Sequence, residues 1–245
     1  MVAHKLGISR SAAQRIILGG HVMVNGVAVL KSGMVLGLKE RIDIDKAGPD
    51  FVGYGGDKLE TVFKYFPLNP VGKVCLDVGA STGGFTDCLL KRGAARVYAV
   101  ENGKNQLAPQ LKKDYRVVSM EGRDIRNAVL DWFDCFGGKI TFAVADVSFI
   151  SLTKVIGAIN NLLAPGSDII CLIKPQYEVG KGKVSKSGIV KSPMARRLAV
   201  ERVNTFACSL GLKILGTIPF PEVPLRNKNQ EFFVHYKTPK LIELS

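Results

Sequence analysis

The sequence predicts an open, doubly wound α/β sheet of seven strands, the last of them antiparallel, preceded by a small α+β unit. Three observations predict it. From Phe51 onward, short β-branched and aliphatic runs alternate with helical stretches. Those runs are almost continuously apolar, as strands covered on both faces are. Residues 1–46 carry a separate helix and hairpin pattern of their own. A chain of 245 residues suits one medium domain with a small appendage.

In the small unit, Ser9 is a good N-cap for a helix over Arg10–Leu18, and Gly19-Gly20 stops it. Ala12, Ala13, Ile16 and Ile17 share one face; Arg10, Ser11, Gln14 and Arg15 share the other. Val22–Val24 and Val27–Val29 flank Asn25-Gly26, the strongest short hairpin signal. Arg41–Ile44 supplies a last strand. A core this small is marginal alone. Residues 47–52, with Gly48-Pro49, read as the linker.

Residues 53–245 then alternate. A helix over Lys58–Phe66 precedes the first strand of the large sheet, Val74–Val78, and Gly84–Arg92 is the helix after it. Arg96–Val100 is followed by a helix near Gln106–Lys113, then by the strand Arg116–Ser119. Ile140–Ala145 leads to a helix over Leu152–Leu163, and Asp168–Ile173 to a long helix over Met194–Leu210. Lys213–Ile218 and Glu231–Tyr236 are joined by a loop with no helix, which predicts an antiparallel edge there. In such a sheet, ligands sit at the carboxyl ends of the strands.

Composition narrows the function classes. Lys and Arg number 34 against 21 Asp and Glu, a net charge of +13. A polyanion, RNA or DNA before anionic membrane, is the expected partner. Residues 175–245 hold 12 basic and 5 acidic side chains, so the C-terminal third is expected to face it. No apolar run approaches the ~20 residues of a membrane helix, and the first residues lack the apolar core of a secretory signal. The five cysteines, Cys75, Cys88, Cys135, Cys171 and Cys208, form no Cys-x-x-Cys, and His4, His21 and His235 are scattered. Reduced thiols, a cytoplasmic protein and no metal site are expected.

The loop Asp77-Val78-Gly79-Ala80-Ser81-Thr82-Gly83-Gly84-Phe85 follows the first strand of the large sheet. Glycines there let the backbone approach a ligand at a helix start. The spacing is G-x-x-x-G-G rather than the G-x-G-x-x-G of dinucleotide sites, so no pyrophosphate cradle is expected. Glu101, 22 residues past Gly79, ends the next strand, where a carboxylate accepts ribose hydroxyls. S-adenosylmethionine fits: it has the ribose but no diphosphate. Asp124 is a candidate for the adenine edge, or equally an N-cap for the helix near Asn127.

Two resemblances follow. Ile8–Ile17 and Gly20–Gly26 resemble the S4 RNA-binding domain. That resemblance implies RNA contacts by Arg10, Gln14 and Arg15, with Lys5 and Lys31 beside them; the Arg-Leu-Asp segment usual before its first helix is missing, so a shortened domain is expected. The runs Leu76–Asp87, Asp146–Leu152 and Leu172–Glu178 resemble the TlyA family, in which an S4 domain precedes an FtsJ-like methyltransferase with a Rossmann-like sheet. This implies S-adenosylmethionine as cofactor, contacts from Gly79, Ala80, Ser81, Gly83, Phe85, Glu101, Asp124 and Asp146, and 2′-O-methylation of ribosomal RNA. Where FtsJ relatives often have Pro-Gly-Gly-Trp, this chain has Thr82-Gly83-Gly84-Phe85, so aromatic packing near the methionyl group falls to Phe85.

The FtsJ-type Lys-Asp-Lys-Glu tetrad maps onto Lys58, Asp146, Lys174 and Glu231, separated by 88, 28 and 57 residues, so only the fold can bring them together. Lys174 is expected to be the general base, with Asp146 and Glu231 holding the ammonium groups and orienting the hydroxyl. Residues 176–191, with Lys181, Lys183, Lys186 and Lys191, read as a lip that tracks phosphates, extended by Arg196 and Arg197. Trp132 and Phe133 read as core. A membrane-active cytolysin, suggested by the haemolysin label some family members carry, an inactive RNA-binding assembly factor and a dehydrogenase are the competing classes.

Overall fold

The computed structural model describes residues 1–6, 13–14, 16–17, 22–29, 33–37, 40–44, 51–133, 139–180, 182–221 and 228–240. In the small unit, a helix over Val2–Leu6 precedes a three-stranded antiparallel sheet of β1 (Val22–Val24), β2 (Val27–Ala28) and β3 (Ile42–Ile44), in the order β2-β1-β3. Asn25 and Gly26 both take positive φ, which lets the β1–β2 hairpin turn in two residues. Ala13, Gln14, Ile16 and Ile17 are helical; Ala13 and Ile16 are buried with Val2 and Val22, and Gln14 is exposed. Among the described residues of this helix, Ala13 and Ile16 turn inward and Gln14 outward; Ser9, Arg10, Ser11, Ala12, Arg15 and Gly19-Gly20 lie outside the described residues.

The large sheet contains β4 (Val74–Val78), β5 (Arg96–Glu101), β6 (Val117–Glu121), β7 (Ile140–Ala145), β8 (Leu163–Ile173), β9 (Lys213–Phe220) and β10 (Glu231–Lys237). Their order is β6-β5-β4-β7-β8-β10-β9. The five strands from β6 to β8 run parallel, and β10 is antiparallel to both β8 and β9. The antiparallel strand thus sits one place in from the rim, and β9 forms the rim itself. Each of β4's five residues is buried, because helices cover both faces. Leu76, Val78, Ala143 and Ile169 point into one core; Cys75, Phe142, Val144 and Ile170 point into the other. Cys75, Cys88 and Cys171 are buried free thiols, Cys208 is an exposed one, and Cys135 and His21 lie outside the described residues.

Several helices differ from their sequence pattern. The expected Gln106–Lys113 helix is only Pro109–Lys112: Pro109 opens its first turn, and Gln106 and Leu107 precede it with their N–H groups on the Glu121 carboxylate. The helix expected over Leu152–Leu163 divides into a 3₁₀ turn at Leu152–Lys154 and a helix at Ile156–Leu162. The helix carrying Lys58 starts early, spanning Tyr54–Tyr65. Its first turn rests on the helix Gly84–Lys91: a Cβ on Gly84 would meet the Gly56 nitrogen at 2.8 Å and the Gly53 oxygen at 2.9 Å. This close approach ties the helix bearing Lys58 to the loop after β4.

Candidate active site

Chain order reverses between β4 and β7, so the connections leave in opposite directions and open a crevice at the carboxyl ends of the strands. A cavity of about 880 Å³ lies there, with Gly79, Ser81, Glu101, Asp124, Asp146 and Phe149 in its wall. That volume falls within the range of small-molecule sites.

The loop after β4 builds one side. Gly79 donates its N–H to the Val100 carbonyl at 2.9 Å and has φ of +80°. A Cβ there would meet the Asp146 carbonyl oxygen at 2.7 Å, so this position requires glycine. The Glu101 carboxylate accepts from Ser81 N–H at 3.0 Å and from Gly103 N–H at 2.7 Å. Each oxygen keeps capacity for a further donor, such as a ribose hydroxyl. Below the loop, Asp77 is fully buried and accepts from the Thr86 hydroxyl at 2.6 Å. Burial pushes its carboxyl up to about 7, against the pull of the Thr86 hydrogen bonds.

Asp124 lines the cavity and also caps the 3₁₀ turn Ile125–Asn127, accepting from Arg126 N–H at 3.0 Å. Its hydrogen bonds with the Arg126 side chain hold its carboxyl below the usual range. Among the residues expected to touch a cofactor, Gly79, Ser81, Glu101, Asp124 and Asp146 stand in the cavity wall, whereas Ala80, Gly83 and Phe85 do not. Phe85, expected beside the methionyl group, is 3% exposed and turned into the core, 6.3 Å from the Phe233 ring. It is the second residue of a helix packed against the first turn of the Lys58 helix, and that packing takes its ring.

The four tetrad residues meet at the edge of this cavity. Lys174 Nζ lies 2.5 Å from Asp146 Oδ1; Lys58 Nζ lies 3.6 Å from Asp146 Oδ2 and 2.9 Å from Glu231 Oε2. The result is a row of alternating charge: Lys174, Asp146, Lys58, Glu231. Asp146 follows β7, Lys174 follows β8, and Glu231 opens β10. Phe232 pairs with Ile173, so the antiparallel register carries Glu231 toward Lys174's end of β8. Burial alone would push the Lys58 ammonium down, but the Asp146 and Glu231 carboxylates outweigh it and hold the group above its ordinary value. Lys58 therefore stays charged, beside the rings of Tyr54 and Phe220, each 5.8 Å from Nζ.

Further residues here lie outside the sequence-derived set. Ser148 accepts a hydrogen bond from Lys174 Nζ at 2.7 Å. Phe149 is 90% exposed, has φ of +64°, and lies 5.4 Å from the Tyr177 ring; both rings line the cavity mouth. Glu178 is buried and binds Leu152 N–H and the Ser151 hydroxyl, joining the loop after β7 to the segment after β8. The signal was present in Asp146–Ser151 and Lys174–Glu178: polar and aromatic residues set directly after two buried strands.

Of the RNA-contact candidates, Lys5, Gln14, Lys183, Lys186 and Lys191 are exposed; Arg10, Arg15, Lys31 and Lys181 lie outside the described residues. Phe133 is buried, while Trp132 is half-buried beneath the Arg123 guanidinium at 4.6 Å. Among the described residues, no helix is long and apolar enough to cross a membrane.

Comparison with known proteins agrees with this geometry. The FtsJ-like methyltransferase family matches residues 51–238, and the S4 domain matches residues 1–42. The chain is 37% identical to the 16S/23S rRNA (cytidine-2′-O)-methyltransferase TlyA of Mycobacterium tuberculosis over 97% of its own length and 88% of that protein. It is 39% identical to hemolysin A of Brachyspira hyodysenteriae, covering 93% of each. A solved Streptococcus thermophilus structure described as a hemolysin superposes with a TM-score of 0.75 at 35% identity, over 97% of this chain and 86% of that one. Fold, site and relatives converge: the chain belongs to the FtsJ-like methyltransferases, in the TlyA group that joins an S4 domain to this fold.

Proposed function

We propose that this protein transfers a methyl group from S-adenosylmethionine to a ribose 2′-hydroxyl of structured ribosomal RNA. The observation that supports it most is the Lys174–Asp146–Lys58–Glu231 row beside a cavity that also holds Glu101. The cofactor suits the donor set: a ribose for Glu101, an adenine near Asp124, and backbone N–H and C=O groups of the Gly79–Ser81 loop for the aminoacyl end. When bound, it supplies an electrophilic methyl group on a sulfonium.

The chain's own residues do the rest. Lys174, as the free amine, takes the proton of the attacking 2′-hydroxyl and becomes an ammonium paired with Asp146. Asp146 spans both lysines and fixes their spacing. Lys58 remains positive and, held by Glu231, draws the polarised ribose oxygen into line. General-base assistance of this kind contributes about 10²–10⁴ in rate, and holding both reactants in line contributes further. Phe149 and Tyr177 receive the base of the target nucleotide at the cavity mouth by stacking. Lys181, Lys183, Lys186 and Lys191 follow phosphates beyond it. Lys5, Arg10, Gln14, Arg15 and Lys31 of the S4 unit anchor structured RNA, and the protein works in the cytoplasm with the ribosome.

The test is incubation with methyl-tritiated S-adenosylmethionine and each purified ribosomal subunit, followed by alkaline hydrolysis of the RNA. Label is expected in alkali-resistant dinucleotides, the mark of a blocked 2′-oxygen. Label on a nucleobase, or lysis of liposomes by the protein alone with no label transferred, would overturn the reading.

A further inference from the structure

Resting on that reading of Lys174, we propose that Ser148 is a positioning residue for the general base. Three observations carry it. Lys174 Nζ donates to Ser148 Oγ at 2.7 Å and forms an ion pair with Asp146 Oδ1 at 2.5 Å. These two contacts hold the Nζ end of Lys174 beside the cavity, in whose wall Ser148 and Asp146 both stand.

The partner's chemistry matters as much as its place. A hydroxyl both donates and accepts. Its oxygen accepts from an N–H of the ammonium or of the neutral amine alike, so the Ser148 contact survives either protonation state and leaves the amine's lone pair for the 2′-hydroxyl. The Asp146 carboxylate accepts from either form too, but its ion pair with Lys174 is lost with the ammonium charge. Ser148 therefore keeps Nζ in place when Lys174 is neutral and the Asp146 contact is weakest, which is the state that must meet the 2′-hydroxyl.

The loop is built to hold Ser148 there. At one end Asp146 N–H bonds the Val78 carbonyl at 3.0 Å. At the other, the buried Glu178 carboxylate takes Leu152 N–H at 2.8 Å and the Ser151 hydroxyl at 2.5 Å. Glu178 belongs to the same short segment as Lys174, and its carbonyl is in turn held by Arg202 at 2.9 Å. The left-handed turn at Phe149 follows directly, so the backbone folds back just beyond Ser148.

The experiment measures kcat, KM for the ribosomal subunit and S-adenosylmethionine Kd for wild type, S148A, S148T and K174A. S148A is expected to lose about tenfold or more in kcat with KM and Kd unchanged, and S148T, which keeps the hydroxyl, to recover most of the loss. Wild-type kcat in S148A overturns the proposal. So does a loss in S148A that S148T shares in full, or one matched by weaker cofactor binding, since either assigns Ser148 to loop packing. Full activity in K174A instead removes Lys174 as base, a failure of the underlying reading that these arms separate from failure of the Ser148 role.

Discussion

The strand pair β8–β10 carries a lysine–carboxylate cluster at each end, and the two differ in kind. At the carboxyl end of β8, two lysines alternate with two carboxylates, Lys174 and Lys58 with Asp146 and Glu231, beside an open cavity. At the opposite end, Asp168 alone faces three basic groups: His235 at 3.0 Å, Lys237 at 2.7 Å and Lys73 at 3.2 Å. Lys237 is the cross-strand partner of Asp168. Burial by itself would push the Asp168 carboxyl up, but the hydrogen bonds from His235, Lys237 and Lys73 outweigh it and hold the group well below the usual carboxylate range. The Asp168 cluster lies outside the cavity wall. A buried ion cluster is therefore no sign of chemistry in itself. Position at the carboxyl ends of the strands and an adjoining cavity distinguish the first cluster from the second.

Substitutions sharpen this contrast, and the largest effect is expected at Lys174. K174A should lower single-turnover methyl transfer by at least about 10²-fold, with S-adenosylmethionine affinity kept, as read by calorimetry. D168A should act on the other axis. It leaves the buried His235 without its carboxylate, so unfolding in urea should show a loss of about 2–4 kcal/mol, with the transfer rate per folded molecule unchanged. Equal loss of activity in D168A would break the distinction.

Next in size is Glu101. E101Q keeps the shape but loses the charge that receives ribose hydroxyls, and the cofactor Kd is expected to rise about tenfold, or about 1.4 kcal/mol, with kcat at saturation little changed. The smallest effect is on acid stability. Because the Asp168 pKa is lowered on folding, its contribution is complete above the ordinary carboxylate range and fades as pH falls through and below about 4. Melting temperature followed from pH 6 to pH 3 should fall more steeply in wild type than in D168N.

Much of this was legible in the sequence, and the limits are physical. The strands of the large sheet were readable because buried parallel strands are continuous apolar runs, and Val74–Val78 and Ile140–Ala145 have the bounds the pattern predicts. Helix bounds were less so: the Gln106–Lys113 pattern forms a helix only from Pro109, and Gln106 and Leu107 bind a carboxylate 15 and 14 residues away. In the site, Lys58, Asp146, Lys174 and Glu231 came from motif resemblance, and the fold brings them within ion-pair distance. Phe85 shows the reverse case, where position in a motif named the residue but packing against Phe233 decided the direction of its ring. For Ser148, Phe149 and Glu178 the place after a buried strand was legible, but their partners across two loops were not.

The most direct test is the single-turnover rate of K174A and D168A on the ribosomal subunit that wild type methylates, each normalised to its folded fraction. The account predicts a folded, cofactor-binding K174A that transfers essentially nothing and a less stable D168A that transfers at the wild-type rate. Transfer by K174A at the wild-type rate would contradict it.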